Sequence, residues 1–511
     1  MATGDQDRTG DPPVAGLLPV VYVRGFAGDT HGIDKAVADP FYGFNEGSTH
    51  IRVGAGNEPS FYQFEGPLLR LLLDEGYQIR VQGGQEAYLD SAAEVPANTV
   101  WVHRFYDAAA SSWGAEPHEY RLEDAAASLL ALIEKVRARA GVPRVHLVAH
   151  SMGGLICRCL LQKVLPDRGE DPAGYVDKLF TYGTPHGGIA FEHGLGLLER
   201  LRDATGINGA DIFGPRRMYE YLTPAALQDR DGPGEGWDAR LLGGGFPAER
   251  VFCLVGTDPG DYQVAAGLSS AVVGARSDGL VQIENAYVPG AHRAYVHRSH
   301  SGSYGLVNSE EGYQNLRRFL FGDLRVASAL VGHSLPAGDG VDWQAEVRLS
   351  VRGLPIVMHE QTAAHWCPVQ LPRSREDGGP EPDVPLVTTF LCSRLAPRGG
   401  AGPARHALHL RVLSLHRVDG FLSFGDHLEQ TADLDDILIV DVDTTGPAPA
   451  VWAVWNSTVD GAIRDYVPSG PPLADLDPAA GAWRAEIPLP ATSHPVLGEG
   501  ARIALTVTPW T

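Results

Sequence analysis

The chain has 511 residues, of which 44% are hydrophobic and 20% are charged, a composition typical of folded globular proteins. Its 41 basic and 63 acidic residues give a formal net charge of −22. A surface this acidic repels nucleic acids and anionic membranes, so we expect neither as a partner. The length exceeds what one core normally holds and favours two or three domains.

The first residues carry neither the basic start nor the apolar core of a signal peptide, and residues 1–16 are expected to form a disordered tail. No apolar run reaches the length of a membrane span. The chain has five cysteines, mostly within apolar strand or helix patterns: Cys157, Cys159, Cys253, Cys367 and Cys392. An odd number in such surroundings is typical of reduced, buried thiols. We therefore expect a cytoplasmic protein without an integral membrane segment.

Strand and helix patterns alternate between residues 17 and 322. The predicted strands are 17–25, 100–105, 145–149, 176–183, 251–256 and 294–297. Helical periodicity is found at 68–73, 119–138 and 312–320. This alternation predicts a doubly wound α/β domain with a mostly parallel sheet. Residues 29–62, rich in glycine, asparagine and aromatic residues, are predicted to be an insertion.

Beyond residue 322 the pattern changes to short apolar runs separated by Gly, Pro and Asp. The predicted strands are 347–351, 386–391, 407–415, 437–442, 451–455, 483–487 and 503–507. Short strands without intervening helices predict an antiparallel β-sandwich, here an accessory domain over residues 343–511. Residues 323–342 are predicted to be the linker before it.

One predicted strand ends at a serine that two glycines follow. The segment AHSMGG at 149–154 joins this strand to a helical pattern. A nucleophile elbow needs such a junction, because a sharp turn exposes the hydroxyl and tolerates only small residues two positions away, here Ala149 and Gly153. Ser151 is therefore the predicted nucleophile. The alternative is an ordinary strand followed by a helix that Ser151 caps.

A serine nucleophile also requires hydrogen-bond donors for the oxyanion. In the elbow arrangement these come from the loop after the first central strand and from the residue after the serine. The backbone N–H groups of Phe26 and Met152 are the predicted donors. Gly25 and His150, which neighbour the loop and the serine, are predicted to contact the substrate. The alternative for the loop is a plain glycine-rich turn.

The base should follow the serine in the chain. His292, His297 and His300 are candidates. We favour His300, because it lies beyond the last predicted strand, whereas His297 belongs to that strand. The three histidines within nine residues have no paired carboxylate or cysteine at ligand spacing, so neither a metal nor another cofactor is expected.

The acid should also follow the serine. Asp278 is favoured, because it lies on an Asp-Gly turn after the strand at 251–256, and the interval before His300 leaves room for the last strand. Asp258 and Asp261 are the alternatives, since they lie nearer the end of the strand at 251–256.

Four motifs, in this order, resemble the α/β-hydrolase superfamily: AHSMGG at 149–154, GTPHGG at 183–188, SDGLV at 277–281 and SHSG at 299–302. The chain looks most like bacterial triacylglycerol lipases and lecithin–cholesterol acyltransferase-like or GPI-inositol-deacylase-like esterases. The resemblance covers about residues 17–322 and implies the short, lipase-like form of the fold. It implies Ser151 as nucleophile, His300 as base and Asp278 as acid, with His186 in a structural role.

Enzymes of this kind carry a cap at the position of residues 189–250. Four apolar residues there fall on one helical face: Phe191, Leu195, Leu198 and Leu201. Two interpretations stay open, a lid over an acyl pocket and a helix packed permanently on the core.

We therefore expect a serine hydrolase that cleaves carboxylic esters of small molecules or lipids. The alternatives are an acyltransferase with the same triad and a catalytically silent scaffold whose β-sandwich binds an unknown protein partner. The sandwich carries a group of aspartates that could suggest calcium, although acidic turns are the commoner case: Asp433, Asp435, Asp436, Asp441 and Asp443.

Overall fold

The computed structural model describes residues 16–25, 48–53, 59–64, 66–80, 85–105, 121–189, 211–261, 274–302, 304–336, 341–372, 381–395, 403–418, 427–446, 448–478 and 481–511. The chain divides into two compact units. The first takes in Met1–Gly188 and Leu195–Val251, and the second Ile189–Gly194 and Phe252–Thr511. The second unit thus joins the end of the predicted α/β domain to the whole β-rich region.

Strands and helices occur in the described residues as follows. The strands are β1 (Val20–Val23), β2 (Ser48–Val53), β3 (Pro59–Phe64), β4 (Gln78–Arg80), β5 (Thr99–His103), β6 (Val145–His150), β7 (Val176–Tyr182), β8 (Val251–Gly256), β9 (His292–Val296), β10 (Leu324–Val331), β11 (Val341–Val351), β12 (Val357–Gln361), β13 (Val369–Gln370), β14 (Val384–Leu391), β15 (Ala404–Val418), β16 (His427–Asp443), β17 (Ala450–Trp455), β18 (Trp483–Pro488) and β19 (Arg502–Pro509). The α-helices are α1 (Pro67–Glu75), α2 (Gln85–Ser91), α3 (Leu122–Ala140), α4 (Met152–Cys159, continued through a π-helical turn at Leu160–Val164 and by Leu165–Asp167), α5 (Pro215–Leu222), α6 (Glu310–Phe321) and α7 (His494–Leu497).

Within the described residues, seven strands form a sheet in the order β4-β5-β1-β6-β7-β8-β9. The pairs β4–β5, β5–β1, β1–β6, β6–β7 and β8–β9 are parallel. Strands β1, β5, β7 and β8 are buried along their whole length. Such near-continuous apolar strands are expected where helices cover both faces of a parallel sheet. This topology confirms the predicted α/β class.

The predicted insertion at 29–62 contains a β-hairpin. Strands β2 and β3 pair antiparallel from Ser48 opposite Phe64 to Val53 opposite Pro59. The remainder of the insertion and the predicted tail, apart from Gly16, lie outside the described residues.

The β-rich region forms two antiparallel sheets, ordered β14-β10-β19-β18 and β12-β11-β15-β16-β17, with β13 paired to β11. Burial alternates along strands such as β18 and β19. Alternation buries one face of each strand in an apolar core that both sheets share. The predicted β-sandwich is confirmed, and every predicted strand of this region is present.

Two expectations differ from the structure. The first half of the predicted linker at 323–342 is strand β10, which lies between β14 and β19 because its alternate residues Leu324, Val326 and Leu330 enter the core. The last strand of the parallel sheet ends at Val296, so His297 lies beyond it.

The five cysteines, all among the described residues, are buried free thiols. None of the helices in the described part of the chain combines the length and the apolar character that a bilayer crossing requires.

Candidate active site

Ser151 occupies the junction between β6 and α4 in a strained backbone conformation. Its φ is 53° and its ψ is −128°, a region that residues other than glycine rarely adopt, at a cost of about 1–3 kcal/mol. The Ser151 N–H donates to the Tyr182 carbonyl at 2.9 Å. The Ser151 carbonyl accepts from the Gly154 N–H at 3.0 Å and from the Thr184 hydroxyl at 2.8 Å. These bonds hold the strained turn, as expected for a nucleophile elbow.

Glycines let the end of β1 approach this turn. A β-carbon on Gly25 would lie 2.6 Å from Ser151 Cβ and 2.9 Å from the His150 carbonyl oxygen. A β-carbon on Gly153 would collide with the carbonyl oxygens of Val23 and Arg24. The close approach of β1 to the elbow therefore depends on the absence of side chains at Gly25 and Gly153.

Met152 is the first residue of α4 and is buried. The first N–H groups of a helix have no partner within that helix, which is why Met152 stays a predicted oxyanion donor. His150, the last residue of β6, is partly exposed. Phe26, the other predicted oxyanion donor, lies outside the described residues.

His300 and Asp278 form a buried pair. The His300 Nδ1 atom lies 2.8 Å from Asp278 Oδ2, and the His300 N–H donates to the Asp278 carbonyl at 2.8 Å. The other carboxylate oxygen, Oδ1, accepts the N–H groups of Leu280 at 3.0 Å and Val281 at 2.8 Å. Asp278 is thus oriented by its own turn, and its second oxygen faces the imidazole.

The alternative acids belong to a separate carboxylate pair. Asp258 accepts the Gly260 N–H at 2.9 Å. Asp261 is an exposed residue, and the slight burial of its carboxyl group, followed by a hydrogen bond to Asp258, raises its pKa above the ordinary value. Asp278, the favoured candidate acid, hydrogen-bonds His300.

Arg158 on α4 is a residue that the sequence analysis missed. It is fully buried, and it donates to Gln162 Oε1 at 2.7 Å. It also donates to the carbonyl oxygens of His186 at 3.0 Å, Ala239 at 2.7 Å and Leu241 at 2.9 Å. This arginine therefore ties the elbow helix to two loops. The available signal was an arginine within an otherwise apolar helix, four positions before a glutamine.

His186 is buried beside that arginine. Burial, and secondarily the charge of Arg158, hold the pKa of His186 well below its ordinary value, so the ring is neutral. Its Nε2 lies 3.2 Å from the Thr181 hydroxyl. These contacts agree with the structural role that the resemblance implies.

The described part of the cap, residues 211–250, is anchored to the helices beneath it. Arg217 on α5 contacts both carboxylate oxygens of Glu123 on α3, at 2.7 and 2.5 Å. The Ala225 N–H donates to Asp167 at 2.7 Å. These contacts favour the permanently packed interpretation for this part, whereas Phe191, Leu195, Leu198 and Leu201 lie outside the described residues.

The aspartates of the sandwich all lie on β16 and accept hydrogen bonds from protein groups. Asp441, for example, binds Arg405 through both oxygens at 2.8 Å. No group of three or more histidine, cysteine or acidic side chains suited to a metal ion occurs among the residues that the structure describes.

Residues 104–169 match a protein-family model described as the alpha/beta hydrolase fold. No curated protein matches the sequence. Solved structures similar to this chain include the lin2722 gene product of Listeria innocua, with 13% identity, 60% of this chain and 94% of that chain covered, and a TM-score of 0.25. They also include Bacillus licheniformis lipase BlEst2, with 18% identity, coverage of 57% and 89%, and a TM-score of 0.26. A third is Bacillus subtilis carboxylesterase CesB (YbfK), with 11% identity, coverage of 60% and 83%, and a TM-score of 0.21.

Similarity to solved structures at this level assigns no activity. The family-model match includes α3, β6 and α4, and therefore the junction at Ser151. This match and the order of the parallel sheet both indicate the α/β-hydrolase fold.

Proposed function

We propose that this protein is a serine hydrolase that cleaves carboxylic esters of small molecules or lipids. The observation that carries the proposal is the strained backbone of Ser151 at a strand-to-helix junction. Strain of this kind persists only where the surroundings enforce it, and it is concentrated at functional sites. The buried His300–Asp278 pair supplies the other groups that such chemistry needs.

In the proposed reaction, Oγ of Ser151 attacks the ester carbonyl carbon while its proton passes to Nε2 of His300. Asp278, bonded at Nδ1, fixes the tautomer of the imidazole and stabilises its protonated form. The N–H groups of Met152 and Phe26 donate to the oxyanion.

The proton on Nε2 then passes to the leaving alkoxide as its bond to carbon breaks, and the acyl group stays on Ser151. His300 takes a proton from water, which attacks the acyl-enzyme. The carboxylic acid departs, and the serine regains its proton.

A fluorophosphonate probe tests this proposal, because it labels activated serines. We expect labelling of the wild type, none of Ser151→Ala, and wild-type labelling of Ser91→Ala, whose exposed hydroxyl lies on α2. A folded wild type that the probe does not label would support the silent scaffold instead.

A panel of esters graded by acyl length and head group then defines the substrate. Adding an alcohol acceptor separates hydrolysis from acyl transfer. A transferred ester that exceeds the free acid at low acceptor concentration would identify the protein as an acyltransferase.

A further inference from the structure

Two histidines of the second unit stack face to face beside the His300 loop. The His297 and His365 ring centroids are 3.9 Å apart, and the ring planes differ by 4°. His297 directly follows β9 and precedes His300 by three positions. His365 belongs to the short helical turn Ala363–His365, between β12 and β13 of the β-rich region. The stack therefore joins the β-rich region to the segment that carries the proposed base.

The segment between β9 and His300 is held on its other side by the end of β8. The Thr257 N–H donates to the Val296 carbonyl at 3.1 Å, and the Thr257 hydroxyl lies 3.5 Å from His297 Nδ1. The Asp258 N–H donates to the Arg298 carbonyl at 3.3 Å. His297 is exposed on its remaining sides, and its ring contacts Thr257 and the face of His365.

The turn that carries His365 continues to Cys367, which packs against the residues that follow Asp278. Cys367 shares an apolar cluster with Val281, Ile283 and Tyr295. Val281 is the residue whose N–H donates to Asp278 Oδ1. A displacement of Cys367 would therefore move Val281, and through the Val281 N–H it would also move the Asp278 carboxylate that contacts His300.

Hydrogen bonds within the β-rich region fix this turn. The Ala363 N–H donates to Glu346 Oε1 at 3.0 Å, and the Cys367 N–H donates to the Thr362 carbonyl at 3.1 Å. Gln361 Nε2 donates to the Cys367 carbonyl at 3.1 Å. Three hydrogen bonds therefore fix the backbone of the turn that carries His365.

Burial and neighbouring groups together disfavour the protonated form of His365. Burial, and then the neighbouring His297, hold the pKa of His365 below its ordinary value. Glu360, whose Oε2 lies 3.9 Å from His365 Nδ1, acts in the opposite direction but is itself bonded to Arg348 at 2.7 Å. A neutral flat ring contacts His297 through its face, a contact that a phenyl ring can reproduce.

We propose that His365 is a positioning residue for His300: its stack on His297 holds the segment that presents the imidazole to Asp278. The β-rich region then contributes to the position of the proposed acid and base, Asp278 and His300. This inference rests on the proposed function, since it concerns the base of that reaction.

Three variants test the proposal by ester hydrolysis. His365→Ala should lower kcat by about tenfold with KM within about twofold, because a small displacement of the base impairs proton transfer more than binding. His365→Phe should stay within about threefold of wild type. His409→Ala, which removes a partly exposed histidine on β15, should change neither constant.

Amide hydrogen exchange gives a readout that needs no activity. The His300 N–H is bonded to the Asp278 carbonyl. Peptides covering residues 294–302 should exchange faster in His365→Ala and at the wild-type rate in His365→Phe. His365→Gln replaces His365→Ala if the latter does not fold.

The positioning role is overturned if His365→Ala keeps the wild-type kcat and exchange rate. It is also overturned if His365→Phe is as impaired as His365→Ala, or if KM rises while kcat is unchanged. A wild type that hydrolyses no ester rejects the proposed function, whereas the exchange measurement still decides whether the stack orders the loop.

Discussion

The His300 Nδ1 atom lies 2.8 Å from Asp278 Oδ2, and both side chains are almost completely removed from solvent. The second carboxylate oxygen already accepts two backbone N–H groups, from Leu280 and Val281. The carboxylate therefore has one orientation in which all its bonds are made, and that orientation directs Oδ2 at the imidazole.

Asp278→Asn should lower kcat by about 10²–10⁴ while the protein stays folded. An amide in this position must turn its NH₂ either towards the two backbone donors or towards His300, and it stabilises the wrong imidazole tautomer. Ester hydrolysis and the melting temperature, measured together, separate a catalytic from a folding defect.

The matched control is Asp261→Asn, which changes an exposed carboxylate in the loop after β8. We expect its kcat to stay within about tenfold of wild type, far short of the loss of about 10⁴ that asparagine causes in place of a triad aspartate. If Asp261→Asn were inactive and Asp278→Asn nearly normal, the acid would have to be assigned to the earlier loop.

Gly25→Ala should abolish fluorophosphonate labelling of Ser151 and lower the melting temperature. Its new methyl group would lie 2.6 Å from Ser151 Cβ, so either β1 or the elbow must move. The control is Gly174→Ala, where a β-carbon meets no atom within 4 Å and φ is negative. Normal labelling of Gly25→Ala would contradict the close approach of the two segments.

Strands with a strong apolar pattern are predictable from the sequence, whereas strands with a weak pattern are not. β19 alternates buried and less buried residues along its length and was predicted. β10 also alternates, but its sequence LRVASALV contains alanine and serine, which carry little strand preference, and it follows a helix after two residues. Only the partners β14 and β19 make this segment a central strand.

At the candidate site, too, features made by adjacent residues are predictable from the sequence, whereas contacts between distant residues are not. The strand-to-helix junction at Ser151 is encoded by adjacent residues, so the sequence suffices to predict that junction. The four acceptors of Arg158 lie between 4 and 83 positions away, and the His297–His365 stack joins residues that are far apart in the chain. Such contacts depend on tertiary packing, which no local pattern reveals.

Arg158→Met should destabilise the protein by at least about 3 kcal/mol, because it leaves buried carbonyl and amide acceptors without donors. The matched control is Arg168→Met at the end of the same helical segment. Arg168 is largely exposed and pairs with Glu134 and Glu170 at 3.0 Å, contacts that contribute little to stability. Chemical unfolding of both variants checks the contrast, and equal effects would show that Arg158 is replaceable by an apolar side chain.

Acid should destabilise the β-rich region through His406 on β15. This ring is buried, neither nitrogen has a hydrogen-bond partner among the described residues, and burial lowers the pKa of His406 to about 4. His406 binds a proton near pH 6.5 in the unfolded chain but only near pH 4 in the folded chain. The contribution of the neutral ring to the free energy of unfolding is therefore complete above pH 6.5, and it falls by about 3 kcal/mol towards pH 4. His406→Leu should therefore flatten the fall in melting temperature over this range, whereas His416→Gln, at an exposed position of β15, should not. A fall that is as steep in His406→Leu as in the wild type would mean that His406 is not the titrating group.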